Sequence, residues 1–309
     1  MPDFAPARLQ LVKAIPNGRG WLYEPKFDGY RGLVMRPAQY RISVLSRNGK
    51  DLGRFFPELI RLAEALPVGT VLDGEIVHPI EGGVSFTALQ HRLMLPLAER
   101  SSVAARSPVA FVAFDILATE SGDARRLPLA QRRARLERMA ARLDNPYLQV
   151  VVQTDDLDAA RVWLDEGFPM HGIEGVVAKR DEPYPKPNVR KWQKVRRLST
   201  MDVRVYGFTG DIGAPRLVVG TTDPESTQVL GTTFPLDRED AVRLRPLIPR
   251  AVPSDRPIWS RFDSNVIDRW VVLPEGLVAE VSYSHLDVDS FRHQARFLRW
   301  KLSEPPEPD

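Results

Sequence analysis

The sequence predicts an α+β chain in which a larger mixed domain is followed by a small, partly closed β-barrel. Three observations lead there. Strand-like and helix-like stretches alternate through the first two-thirds without a regular βαβ rhythm. From about residue 200, short strands separated by Gly, Pro and Asp turns take over, interrupted by a single helical patch. The chain has 309 residues, 43 % of them hydrophobic, which is enough apolar material for about two cores. The boundary is expected near residues 198–201. This gives domains at 1–199 and 200–302 and an acidic, proline-rich tail, 303–309, expected to be disordered.

Each element has its own signal. Residues 21–24, 31–36 and 41–46 read as strands, the last ending in a turn at 47–49. Pro57 suits the first turn of a helix over 57–66, with Leu59, Ile60, Leu62 and Leu66 as its apolar stripe. Residues 71–77 and 109–117 read as buried strands. An arginine-rich helix is expected over 129–143, where Leu136, Met139 and Leu143 fall at helical spacing, and a capped helix over 155–166. Strands follow at 173–179 and 189–195. In the second domain, strands are expected at 203–208, 216–222, 228–233 and 277–285, with a helix at 237–247.

Bulk properties exclude several classes. No run of about 18 apolar residues is present, so no membrane span is expected. The N-terminal stretch lacks the apolar core of a secretory signal. Cysteine is absent, which removes disulfides and thiolate chemistry and fits a reducing, cytoplasmic location. The histidines, His78, His91, His171, His285 and His293, show no metal-ligand spacing and read as structural or surface residues. A net charge of +3, from 43 basic and 40 acidic residues, does not by itself announce a nucleic-acid partner. Lysine occurs only at positions 13, 26, 50, 179, 186, 191, 194 and 301, and all other basic residues are arginine. An amine can lose its proton and attack, whereas a guanidinium cannot. Each lysine therefore raises the question of what an amine is needed for.

The sharpest local pattern is Glu24-Pro25-Lys26-Phe27-Asp28-Gly29-Tyr30-Arg31. Alone, Asp-Gly between two strands fits a β-hairpin turn as well as a catalytic lysine. Leu72-Asp73-Gly74-Glu75 places a carboxylate in an apolar strand, and Glu174 does the same at the start of Glu174-Gly175-Val176-Val177-Ala178-Lys179. A buried carboxylate needs a partner or a metal. Two on apolar strands suggest a divalent cation held through oxygen, Mg²⁺ above all beside a triphosphate. Lys191-Trp192-Gln193-Lys194-Val195-Arg196 alternates so that Trp192, Lys194 and Arg196 share one face; alone it reads as a solvated edge strand. Phe114-Asp115 reads as core and Ser46-Arg47-Asn48-Gly49 as a turn.

In this order, these segments resemble the successive nucleotidyltransferase motifs of ATP-dependent DNA ligases. Arg292-His293-Gln294-Ala295-Arg296-Phe297-Leu298-Arg299-Trp300-Lys301 is similar to the arginine-rich motif that ends their second domain. The similarity runs from about Leu11 to Lys301 and is greatest to the compact bacterial ligases, stand-alone ligase C and the ligase module of ligase D. It implies a nucleotidyltransferase (adenylation) domain with mixed antiparallel sheets and flanking helices, followed by an OB-fold β-barrel. It also implies nick sealing in DNA repair through AMP carried on Lys26, with ATP and Mg²⁺ or Mn²⁺.

By the same resemblance, Glu24 reads the adenine amino group, and Arg31 and Arg47 contact ribose or nick phosphate. Glu75 contacts ribose or metal, and Glu174 metal. Phe114 stacks on adenine over the apolar floor of Val177, and Lys194 and Arg196 hold phosphate. Arg292, Arg296 and Arg299 close over the triphosphate. The site is expected to disfavour charge on Lys26 through enclosure and the nearby cations Lys194, Arg196 and Mg²⁺. Nicked double-stranded DNA is the implied substrate. A DNA-repair polymerase or primase, or an end-binding protein, is a candidate partner of a monomeric enzyme. No helical DNA-binding domain precedes the core, so DNA is expected to be held by the two domains, with the arginines of 125–142 as either phosphate contacts or a solvated helix face.

Two features depart from, or narrow, that pattern. Arg196 stands where lysine is common, and the missing cysteines argue against the NAD-dependent ligases with their zinc module. An RNA ligase or capping guanylyltransferase is the nearest alternative. A non-catalytic OB-containing binding protein is the alternative from another class.

Overall fold

The computed structural model describes residues 4–39, 41–164, 172–187, 189–223, 228–254, 270–273, 277–283, 286, 290–291 and 293–301. The expected tail, Arg292, His171 and His285 lie outside the described residues. The chain divides into two compact units, Met1–Arg197 and Leu198–Asp309.

In the first unit the elements run β1 (Leu9–Leu11), β2 (Trp21–Phe27), β3 (Tyr30–Arg36), β4 (Ser43–Ser46), α1 (Pro57–Ala65), β5 (Thr70–Val77), β6 (Pro79–Ile80), β7 (Gly83–Val84), α2 (Phe86–Met94), α3 (Leu97–Arg106), β8 (Ala110–Thr119), β9 (Gly122–Asp123), α4 (Leu129–Leu143), β10 (Leu148–Val150), α5 (Leu157–Val162), β11 (Ile173–Arg180) and β12 (Trp192–Arg196). Two sheets carry the site. A four-stranded sheet has the order β1-β12-β11-β2, and a six-stranded sheet is built on β10-β8-β5-β3-β4 with β9 beside β8. Side chains alternate across each strand, so every strand feeds two environments. One face of the larger sheet packs Val34, Leu72, Ile76 and Phe111 against Leu59 and Leu62 of α1, Leu89 of α2 and Leu136 of α4. Leu33, Met35, Val71 and Leu117 join Val177 and Trp192 of the smaller sheet in a second cluster. On the smaller sheet, Trp21, Tyr23, Val176 and Ala178 pack against Ala160 of α5.

Several expectations change. The Asp28-Gly29 step is not a hairpin turn within one sheet; it carries the chain from β2 in one sheet to β3 in the other. Asp28 N–H donates to Gly172 O at 2.8 Å. A Cβ on Gly29 would lie 2.2 Å from the carbonyl oxygen of Ile76, so only glycine lets the chain cross that close to β5. Likewise Gly74 is needed within β5 because a Cβ there would meet the Phe111 ring at 2.6 Å. β12 is not an edge strand, since β1 lies parallel to it, with Leu9 opposite Trp192. Of the helix expected over 155–166, the described residues form Leu157–Val162, capped by Asp156, and residues 165–166 lie outside the described residues. The strand expected from Val189 begins at Trp192, and that expected from Arg41 begins at Ser43.

The second unit runs β13 (Ser199–Thr209), β14 (Arg216–Gly220), β15 (Val229–Thr232), α6 (Arg238–Ala241), a 3₁₀ segment Val242–Arg250, β16 (Val252–Ser254), β17 (Trp270–Val272), β18 (Val278–Tyr283) and β19 (Arg296–Lys301). Its seven-stranded sheet has the path β15-β14-β13-β17-β16, with β18 joining β13 to β19. The long β13 pairs antiparallel with β14, β17 and β18 and is irregular at Val205–Gly207. Val203, Val205, Leu217, Val219, Ala279 and Val281 form its core with Leu244. The helix expected over 237–247 is one α-turn continued as 3₁₀, in a segment where Pro246 and Pro249 cannot donate backbone hydrogen bonds.

Candidate active site

β2 and β11 run antiparallel, with Glu24 opposite Val177 and Lys26 opposite Gly175. Their alternation sends Glu24, Lys26, Val177 and Lys179 to one side. There they line a cavity with Arg31 from β3, Glu75 from β5, Phe114 from β8 and Trp192 from β12. Six of the residues singled out from the sequence, Glu24, Lys26, Arg31, Glu75, Phe114 and Val177, thus share one cavity.

One end of this cavity is polar but fully paired. Glu24 is 2 % exposed. Its Oε2 accepts from Lys179 Nζ at 2.7 Å and its Oε1 from Gln153 Nε2 at 2.7 Å. Burial raises the Glu24 carboxyl above its ordinary range, against the opposing pull of Lys179. Lys179 is itself buried. Its ammonium donates to Phe114 O at 3.3 Å and lies 4.1 Å from the Trp192 ring centre and 4.7 Å from that of Phe114. The rings of Phe114 and Trp192 meet edge to face.

The other end gathers charge. Lys26 forms an ion pair with Glu174. Burial alone would lower the amine, but Glu174, then Glu75 and Asp28, outweigh it and hold Lys26 above its ordinary value. The expectation of an amine held uncharged is therefore corrected for this arrangement, because the carboxylates of Glu174, Glu75 and Asp28 outweigh the effect of enclosure. Glu75 lies opposite Arg31 and Val112, and burial pushes its carboxyl up to about 7. Across β11, Lys194 lies opposite Val177 and Arg196 opposite Gly175. Burial lowers the Lys194 amine, and repulsion from Arg196, Lys26 and Arg47 adds to it. Arg47 is exposed in the turn after β4, its N–H donating to Arg31 O at 3.2 Å. Among the described residues, Arg196 Nε is buried without a hydrogen-bond partner. An anion delivered here would meet four cations.

Arg31 is held more tightly than its sequence suggested. Its Nε and Nη2 bind Asp73 at 3.0 and 2.7 Å, and Nη1 donates to Ala7 O at 2.5 Å. Tyr184 donates its hydroxyl hydrogen to Asp73 at 2.6 Å and accepts from Ala7 N–H at 2.8 Å. Sequence reasoning missed Asp73, Gln153, Tyr184 and the pairing of Lys179. Asp73 sat beside Glu75 as a second carboxylate in the same apolar strand, and the rule that flagged one applied equally to the other. Gln153 and Tyr184 gave no signal. The arginines of 125–142 are partly structural: Arg132 is fully buried on Asp115, Arg125 binds Asp123 and Arg133 binds Glu137. Arg296 and Arg299 stand on β19 of the second unit, where Arg299 pairs with Glu280 at 2.5 Å and Arg296 lies over the Phe234 ring.

Comparison with known proteins agrees with this geometry. Residues 6–196 match the family model described as ATP dependent DNA ligase domain. The chain is 32 % identical to DNA ligase C2 of Mycolicibacterium smegmatis, over 97 % of this chain and 91 % of that protein. It is also 32 % identical to DNA ligase C of Mycobacterium tuberculosis, over 99 % and 92 %. The crystal structure of the ligase domain from M. tuberculosis LigD aligns with a TM-score of 0.50 and 25 % identity, covering 96 % of this chain and 94 % of that one. The family match spans both sheets that enclose Lys26, and the relatives match nearly end to end: the chain belongs to the ATP-dependent DNA ligase family.

Proposed function

We propose that this enzyme seals nicks in double-stranded DNA through AMP carried on Lys26. The observation that supports this reading best is the position of Lys26. It lies between a slot lined by Glu24, Phe114 and Trp192, which suits a purine, and a group of cations that suits phosphates. The Lys26 nitrogen attacks the α-phosphorus of ATP, an N–P bond forms, and the bond to pyrophosphate breaks. A 5′-phosphate oxygen at the nick then displaces the lysine and takes the AMP. The 3′-hydroxyl attacks that phosphate, closes the backbone and releases AMP. Lys194 and Arg196 face the charge that develops on the phosphoryl oxygens. In the slot, Glu24 accepts from the adenine amino group and Phe114 stacks on the base above Val177. Arg31 and Arg47 are assigned to ribose or nick phosphate, and Arg296 and Arg299 to the triphosphate. The long β13, paired with three strands, supports an OB-type barrel for the second unit.

A divalent cation fits the carboxylates here. Glu75 and Glu174 both act on Lys26, and among the described residues no group of three or more metal-type side chains occurs. Two oxygen donors completed by substrate phosphates match the way Mg²⁺ is usually held. When bound there, the ion would neutralise charge on the phosphates. The protein's own part is to supply Glu75 and Glu174.

Incubation with labelled ATP and a nicked duplex, against labelled GTP and RNA strands, tests the reading. Label from GTP alone would overturn it. Two variants sharpen it. Only the free amine attacks, so AMP transfer should rise with pH while Lys26 is held above its ordinary value. Glu174→Gln removes the first of its anionic partners, so the pH–rate curve of single-turnover AMP transfer should move to lower pH by roughly one unit while its plateau falls. A superimposable curve would show that the ion pair does not govern the amine. Phe114→Ala should weaken ATP binding roughly tenfold through lost stacking, measured as KM for AMP transfer. An unchanged KM would return Phe114 to a packing role.

A further inference from the structure

Gln153 lies outside every motif quoted above, in the connection between β10 and α5. Its position is nevertheless fixed by backbone. Val151 N–H donates to Ala113 O at 2.9 Å, which ties the segment to β8. Tyr23 and Thr154 then exchange two backbone hydrogen bonds, at 2.7 and 3.0 Å, which tie it to β2. The connection thus spans from one sheet to the other, and Gln153 is held beside Glu24 by its neighbour's pairing with Tyr23. There its amide donates to Glu24 Oε1 at 2.7 Å, while Lys179 holds Oε2 at 2.7 Å.

The two donors do different work. Lys179 supplies charge. Its ammonium is also engaged by Phe114 O and by the faces of Phe114 and Trp192, so it ties Glu24 to the wall of the slot. Gln153 adds no charge. Its bond to the second oxygen fixes the plane of the carboxylate, which with Lys179 alone could rotate about a single tether. A carboxylate clamped at both oxygens retains lone pairs aimed in a set direction. These accept from an amino group on a purine and repel a carbonyl at the same place.

We propose that Gln153 is a positioning residue for nucleotide choice, aiming Glu24 so that the slot takes a purine with an amino group at C6 and rejects one with a carbonyl there. The inference rests on the reading that Glu24 faces the base.

The test is single-turnover AMP transfer with ATP and with inosine triphosphate, which differs from ATP in carrying a carbonyl at C6 and a hydrogen on N1. The variants are Gln153→Met, close in shape but without the donor, Gln153→Ala, Glu24→Gln and the double variant Gln153→Met/Glu24→Gln. Wild-type protein should prefer ATP. Gln153→Met and Gln153→Ala should each raise KM for ATP roughly tenfold and reduce the ATP-to-inosine-triphosphate preference by a similar factor, with kcat changed by less than about twofold. Because Gln153 acts through Glu24, it should have little further effect in the Glu24→Gln background. A retained preference in both single variants overturns the proposal. So does a loss that falls on kcat, tracks a lowered melting temperature and adds fully to that of Glu24→Gln. If the wild-type protein itself transfers AMP from both nucleotides equally well, the reading of Glu24 fails first and the role of Gln153 falls with it.

Discussion

Lys26→Ala is expected to leave a folded protein whose AMP transfer is lower by on the order of 10⁴-fold or more, as when a covalent nucleophile is removed elsewhere. Folding should survive because Lys26 is only partly buried and Glu174 retains Lys194 as a nearby cation. Lys26→Arg is the sharper companion. The guanidinium can still pair with Glu174 but keeps its proton, so it preserves the charge and removes the nucleophile. Both variants should fail to form labelled protein–AMP while melting close to the parent. If Lys26→Arg still acquires acid-labile label at the parental rate, the attacking group lies elsewhere.

Arg132→Met is expected to have the largest effect on stability. Arg132 is fully buried, binding Asp115 through Nε at 2.7 Å and Nη2 at 2.9 Å, and its Nη1 donates to Leu127 O and Glu182 O. Removing it leaves the Asp115 carboxylate buried with only the Ile116 N–H among its named donors, at 2.9 Å. Breaking one side of such a pair costs about 3–5 kcal/mol. The unfolding transition of the first unit should then fall by on the order of 10 °C in a thermal melt. Nucleotide binding should weaken too, because Asp115 follows Phe114 and Glu182 leads into Tyr184, the residue that secures Asp73 and Arg31. Replacing both partners, Arg132→Met with Asp115→Leu, should recover much of the stability. If the double variant is no more stable than Arg132→Met, the buried charge is not the cause.

How much of this was legible in the sequence depended on whether the signal was local. The strand carrying Glu174 and Lys179 was read to within one residue, because an apolar run ending in charges can hardly be anything else. Glu75 stood out for the same reason. The helices Phe86–Met94 and Leu97–Arg106 went unread; the second buries little beyond Ala104, so its apolar periodicity is weak. Asp28-Gly29 misled, since a tight hairpin and a crossing between sheets ask for the same two residues. Only the closeness of Ile76 tells them apart. Tyr184, Asp73 and Ala7 meet across separations of 111 and 177 residues, a relation no local pattern encodes. The charge held on Lys26 was harder to read, because Glu174 and Glu75 reach it from β11 and β5, remote in sequence.

The parallel pairing of β1 with β12 has a consequence for how the protein is made. The cavity wall at Leu9 and the N–H of Ala7 that donates to Tyr184 are laid down first. Their partners, Tyr184 and β12, are among the last residues of the unit to be synthesised. Closing such a long loop is entropically costly and tends to be slow. A nascent chain arrested before Arg196 should therefore not retain ATP, however much of its larger sheet has formed. The capacity to bind nucleotide should switch on late and abruptly during translation.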